Sequence, residues 1–165
     1  MNVELKILDA RLPSWGFPHY GSSLAAGLDL HACIDEAVEV APQAPAILIP
    51  SGIAFRIGDP EWCALVLPRS GMGHRQGLVL GNAVGLIDAD YEGPLLISVW
   101  NRNPTGGDLI RIEPGDRIAQ LVFTRVTRPE FSVVETFSGN GGRQSRGFGS
   151  TGVASTCRDD ASQRN

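Results

Sequence analysis

Lysine is almost absent from this chain: Lys6 stands alone against 13 arginines. Arginine suits bidentate phosphate binding, but codon bias yields the same ratio, so the ratio alone decides nothing. Cysteine is also scarce. Cys33, Cys63 and Cys157 are odd in number, far apart and free of CxxC or Cys/His spacing. They therefore give neither a disulfide framework nor a zinc site, and they fit free thiols in a reducing cytoplasm. A net charge of −4 leaves no electrostatic footprint for a nucleic-acid polymer. Long apolar runs are missing too. Residues 40–55, the longest uncharged greasy stretch, are broken by Pro42, Pro45 and Pro50, so no membrane span of about 18 apolar residues is expected. Glu4, Lys6, Asp9 and Arg11 occupy what would be the apolar part of a signal peptide.

Glycine and proline are abundant instead: 20 and 11 in 165 residues, well above the usual share of about 12%. That excess argues for many turns and against a helical bundle. Period-2 alternation appears at Val3, Leu5 and Ile7, at Ile110 and Ile112, and at Phe131 and Val133. Short apolar runs at 46–49, 64–67, 95–99 and 118–123 lie between turn signals such as Gly58-Asp59-Pro60 and Pro114-Gly115-Asp116. No 3.6-residue stripe is sustained, although a turn or two of helix fits residues 71–76. The pattern predicts an all-β fold of short strands, a sandwich or barrel over residues 1–138. Residues 139–152 hold six glycines and read as an arm that forms no core of its own, and 153–165 as a polar, disordered tail.

Four segments could carry chemistry. Pro68-Arg69-Ser70-Gly71-Met72-Gly73 follows a buried strand and offers a guanidinium, a hydroxyl and bare backbone N–H groups, either a phosphate cradle or a strand-to-turn junction with a solvated arginine. In residues 78–93, Gly81-Asn82 predicts a tight hairpin whose backbone a flat ligand could reach. Asp88 follows it, as a base for a water or simply as the first residue of a turn. Gln120 interrupts the apolar strand after Gly115-Asp116-Arg117 and must find backbone or ligand partners. Phe148, flanked by Gly147 and Gly149, could stack on a base with Arg146 taking a phosphate, or could be an incidental aromatic in a linker.

Taken in order, these segments resemble the five motifs of the trimeric deoxyuridine triphosphatases (dUTP diphosphatases), in their bacterial form. The motifs are Ala26-Gly27-Leu28-Asp29-Leu30, Pro68-Arg69-Ser70-Gly71, the string from Gly85 through Asp88-Ala89-Asp90-Tyr91 to Gly93, Gly115-Asp116-Arg117-Ile118-Ala119-Gln120, and Arg146-Gly147-Phe148-Gly149-Ser150-Thr151-Gly152. The resemblance spans about residues 3–152 with no motif broken.

The resemblance implies a jelly-roll-like β-barrel that assembles as a homotrimer with active sites at subunit interfaces. It implies hydrolysis of dUTP to dUMP and pyrophosphate, which supplies dUMP for thymidylate synthesis and keeps uracil out of DNA. Asp88 would activate the water that attacks the α-phosphorus. Arg69, Ser70, Gly71 and Gln120 would serve the phosphates, and Asn82, Leu86, Ile87, Tyr91 and Leu96 the uracil and deoxyribose. From the arm, Arg146, Phe148, Gly149 and Ser150 would close over the nucleotide as a lid. Mg²⁺ would ride on the triphosphate, with Asp29 acting on it only through water. The dCTP deaminases resemble the same pattern, but they use a glutamate as base and none is placed in the hairpin, where the Asp88-Ala89-Asp90-Tyr91 string matches the hydrolases. A silent nucleotide-binding regulator would be expected to lack Asp88 or the Phe148 arm, and both are present.

Overall fold

Alternation sets the architecture. In β8 (Pro94–Asn101), Leu95, Ile97 and Val99 are buried while Leu96 between them is exposed, the two-residue period of a half-buried strand. The computed structural model describes residues 1–139, and ten strands lie within the first 125. They are β1 (Glu4–Ile7), β2 (Leu28–His31), β3 (Val38–Val40), β4 (Ile47–Arg56), β5 (Trp62–Pro68), β6 (Leu78–Leu80), β7 (Gly85–Ile87), β8, β9 (Ile110–Ile112) and β10 (Arg117–Arg125). One four-stranded sheet runs β1-β4-β8-β6, a second runs β2-β10-β5-β7, and β3 pairs with β9. All pairings are antiparallel, as the jelly-roll expectation requires.

The core lies between the inward faces and is aliphatic: Leu30, Ile49, Ile53, Leu78, Ile97, Ile112 and Leu121 are almost wholly buried. Ser51 and Asn101, polar and buried inside it, are paired. Ser51 donates its hydroxyl to the Leu95 carbonyl at 2.7 Å, and Asn101 donates to the carbonyls of Val40 (2.8 Å) and Asp108 (3.0 Å). A buried amide paired in this way costs little, whereas an unpaired one would be expensive.

Of two local expectations, one holds at a sheet edge and the other gives way. The alternation at β1 does form a strand, but on the edge of its sheet, and Leu5 and Ile7 remain 41% and 42% exposed. The alternation at Phe131 and Val133 forms none. Residues 1–128 make one compact unit and the chain from Pro129 belongs to another. The described part of that second unit, residues 129–139, contains no strand, and both side chains are open to solvent. Two apolar positions without a partner edge do not make a strand.

Candidate active site

Pro68 closes β5, and the chain turns at once into a short helical segment, Met72–Gln76. The Gly73 N–H reaches back to the Arg69 carbonyl at 2.9 Å, and Gly77, at φ +86°, ends the segment with its N–H on the Met72 carbonyl. A left-handed residue at this point is the usual glycine stop. The end of β8 satisfies carbonyls that the short helix leaves open. Arg102 donates twice to the Gly73 carbonyl (3.1 and 2.9 Å), its N–H bonds the Gly77 carbonyl, and the Asn103 amide donates to the Gln76 carbonyl at 3.0 Å. The predicted turn of helix at 71–76 is therefore present and braced.

This segment forms one wall of an open depression of about 1060 Å³. The loop at Ala25-Ala26-Gly27 that leads into β2 forms another wall, and Arg117 and Gln120 of β10 complete it. Predicted residues Arg69, Ser70, Gly71, Gln120 and Asp29 all meet here. Asp29 is held from two sides, with Arg69 Nε 2.9 Å from one carboxylate oxygen and Arg117 Nη1 3.0 Å from the other. Arg69 also donates to the Arg117 backbone carbonyl at 3.1 Å. Gln120 stands opposite Asp29 in the β2–β10 register, on the outward face, and donates its amide to the Pro68 carbonyl at 3.0 Å. Its partner here is backbone, and its side-chain oxygen faces Gly27.

Charges in this depression add to a positive field: one carboxylate, Asp29, against the guanidiniums of Arg69, Arg75 and Arg117. With bare backbone at Gly71 and the Ser70 hydroxyl, the wall suits a polyphosphate anion. Arg117 and Arg75 are not among the site residues expected from the sequence. Position +4 from Gly71 on one helical face is the signal that could have found Arg75, and the carboxylate at Asp29, which needs a partner when half-buried, is the one for Arg117.

Behind Asp29, His31 is buried, with Trp15 stacked on it at 6.1 Å and Phe17 edge-on at 6.3 Å. Burial lowers its pKa more than the Asp29 carboxylate raises it, which favours the neutral imidazole.

The remaining predicted residues lie elsewhere. The Gly81-Asn82 tip is not a hairpin: β6 pairs with β8 in one sheet and β7 with β5 in the other. Ala83, at φ +62°, bonds back to the Leu80 carbonyl, and the Val84 N–H bonds the Asn82 carbonyl at 2.7 Å, so consecutive tight turns carry the chain round a corner between sheets. Leu86, Asp88, Tyr91 and Leu96 beyond this corner are exposed or half-exposed, and Ile87 is half-buried. The Tyr91 hydroxyl is fixed by the Pro94 carbonyl at 3.0 Å. Ile87 pairs with Ala64 near the start of β5, whereas the wall of the depression begins after Pro68. Four residues at about 3.3 Å each separate these positions by ~13 Å before the flanking residues are counted. Asp88 and the cradle of the same chain thus face different places. Arg146, Phe148, Gly149 and Ser150 lie outside the described residues.

Among the described residues no cluster of three or more His, Cys, Asp or Glu could cage a metal. Asp29 is the lone carboxylate of the depression, and both its oxygens already carry an arginine. That donor set fits Mg²⁺ carried on substrate phosphates and reached from Asp29 through water.

Known proteins share both the sequence and the fold. A family model described as dUTPase matches residues 14–152. The deoxyuridine 5'-triphosphate nucleotidohydrolase of Salmonella typhimurium is 52% identical over 151 residues, covering 91% of this chain and 97% of that protein. Among solved structures, the Staphylococcus bacteriophage 80alpha dUTPase with dUPNHPP superposes with a TM-score of 0.78 at 29% identity, covering 92% of this chain and 99% of that one. A mutant dUTPase from phage phi11 of S. aureus, described with a structural Mg(II) ion, gives a TM-score of 0.70 at 25% identity, covering 84% and 100%. Motif order, antiparallel fold and family match converge: the chain belongs to the dUTPase family.

Proposed function

We propose that this chain hydrolyses dUTP to dUMP and pyrophosphate in an active site assembled from more than one copy of itself. The observation that carries the second clause is the placement of Asp88 and the Arg69-Ser70-Gly71 cradle at opposite ends of β5. A water activated by Asp88 must reach the phosphorus of a triphosphate held in the cradle, and one chain does not bring the two together. A closed symmetric assembly does, with a cradle facing its neighbour's Asp88, and a homotrimer is the form we adopt.

In this reading the exposed backbone around Asn82, with Leu86 and Ile87, receives the edge of uracil. Cytosine, with donor and acceptor exchanged, leaves those groups unpaired, a mismatch that costs about 10⁴-fold where a site is built for hydrogen bonding. Tyr91 and Leu96 flank the deoxyribose. Asp88 takes a proton from the attacking water as the new oxygen–phosphorus bond forms. The bond from the α-phosphorus to its bridging oxygen breaks, and pyrophosphate leaves. Ser70, the Gly71 N–H and Gln120 hold the charge that develops on the phosphate oxygens. Mg²⁺ carried on the triphosphate would supply charge neutralisation there, and Asp29 would act on it through water. Arg146 and Phe148, with Gly149 and Ser150, take the terminal phosphate and the base from the arm at 139–152. A soluble nucleotide substrate and free thiols at Cys33 and Cys63 support a cytoplasmic setting; no helix of the described residues is long and apolar enough to cross a membrane.

Incubation with dUTP and with dCTP, each with Mg²⁺, tests the reaction. Pyrophosphate and dUMP from dUTP alone are expected. Ammonia from dCTP would move the chain to the deaminase branch of the fold, and turnover of neither would leave a binding protein. Asp88→Asn should keep dUTP binding and lose turnover by several orders of magnitude; turnover within tenfold of the parent would remove Asp88 as the base.

A further inference from the structure

Among the arginines that line the phosphate depression, Arg69 and Arg117 are both committed to Asp29. Arg75 is not. Among the described residues no carboxylate lies within ion-pair distance of it. Its guanidinium leans over Gly71: a side chain built on Gly71 would place its Cβ 3.1 Å from Arg75 Nη2. The open flank of Gly71, where an anion would meet backbone N–H, is therefore also where the uncommitted guanidinium of the wall arrives. The direction of Arg75 is set by the brace already described, since Arg102 and Asn103 fix the carbonyls on either side of it, at Gly73 and Gln76.

We propose that Arg75, which lies outside the five motifs, is a substrate-binding residue that grips the leaving pyrophosphate portion of the triphosphate. This rests on the dUTP reading above and deepens it. Asp29 neutralises about one of the two arginines that clamp it, so without Arg75 the wall keeps roughly one unit of positive charge for an anion of about three to four. Arg75 doubles that and adds a planar fork that matches two phosphate oxygens. In an active site whose water comes from a neighbouring Asp88, the α-phosphorus faces the neighbour and the distal phosphates face the cradle wall. Arg75 stands on that wall and not at the base or sugar.

The test uses the full-length protein and three ligands: dUMP, inorganic pyrophosphate and a non-hydrolysable imido analogue of dUTP. Arg75→Gln should weaken the imido analogue and pyrophosphate by roughly tenfold or more, as expected for one charge-assisted contact, and leave dUMP within about twofold. Arg75→Lys should recover part of the loss, because it keeps the charge and loses the fork. Arg111→Gln removes an arginine paired with Glu39 and Glu113; it serves as the control for net charge and should change none of the three affinities. Equal weakening of dUMP and the triphosphate analogue by Arg75→Gln would overturn the assignment in favour of a structural role, and so would no change in either. A parent protein that binds neither nucleotide would overturn the dUTP reading itself, and this assignment with it.

Discussion

The side-chain oxygen of Gln120 occupies the space that a side chain at Gly27 would need: a Cβ built on Gly27 lies 2.5 Å from Gln120 Oε1. Neither residue can be understood alone. Gln120 is outward-facing in β10, pinned by its amide to the Pro68 carbonyl, and Gly27 gives it room at the lip of the depression. Gly27→Ala should therefore push Gln120 off its carbonyl while leaving the sheets intact. About one hydrogen bond is at stake, or ~1 kcal/mol, so kcat/KM for dUTP should fall by about five- to tenfold with an unchanged far-ultraviolet circular dichroism spectrum. Unchanged kinetics would show that Gln120 can rearrange without loss and that the bare lip has no part in holding it.

Two inactive variants should rescue each other. Asp88→Asn keeps its cradle, and Ser70→Ala keeps its Asp88. If one chain's cradle works with another chain's Asp88, randomly mixed oligomers of the two variants restore roughly a quarter of the sites. If each chain supplies both groups to the same site, mixing restores nothing. Steady-state dUTP turnover of the two proteins, unfolded together and refolded at equal concentration, distinguishes these outcomes.

The limits of the sequence follow from where each signal resides. Leu95, Ile97 and Val99 alternate because β8 is half-buried, and alternation is visible in a string of letters. The helical turn after Pro68 is legible for a similar local reason, a proline followed by glycines. Gly81-Asn82 misleads, because the same dipeptide can end a hairpin or turn a corner between sheets, and only the partners of β6 and β7 tell these apart. The motifs locate Asp88 and Ser70 in the chain but not their separation along β5, which needs the register with β7. Arg117 is inside a recognised motif, yet its bond to Asp29 spans 88 positions and has no local signature.

Cys33 should be chemically silent. Burial among apolar neighbours, reinforced by the Asp9 carboxylate, pushes its thiol up to about 12. Cys63 is buried as well. In a Cys157→Ser background, a thiol reagent at about pH 8 should therefore modify neither cysteine in the native state and both after denaturation. Rapid labelling of native protein at Cys33 would mean that the contact of β4 and the N-terminal loop over it opens readily.

The acid limb of stability should depend on Asp9. Its carboxylate accepts from Arg11 Nε at 2.9 Å and from the Arg11 backbone N–H at 2.9 Å. The Arg11 guanidinium beside it holds its pKa down to about 2, from 3.8 in an ordinary carboxylate, against the opposing effect of burial. A folded-state pKa below the unfolded one means that the unfolded chain binds the proton first. The contribution is complete above about pH 4 and fades as the pH falls toward about 2. Asp9→Asn should thus lower the melting temperature at neutral pH and leave a smaller difference from the parent near the folded-state pKa of about 2. Because Asp9 and Leu8 also hang by their N–H groups on the Gly52 carbonyl, the side chain is tethered where the N-terminal strand leaves its sheet. A parent and variant whose melting temperatures differ equally at neutral and at strongly acid pH would show that the Arg11 pair is not what the acid removes.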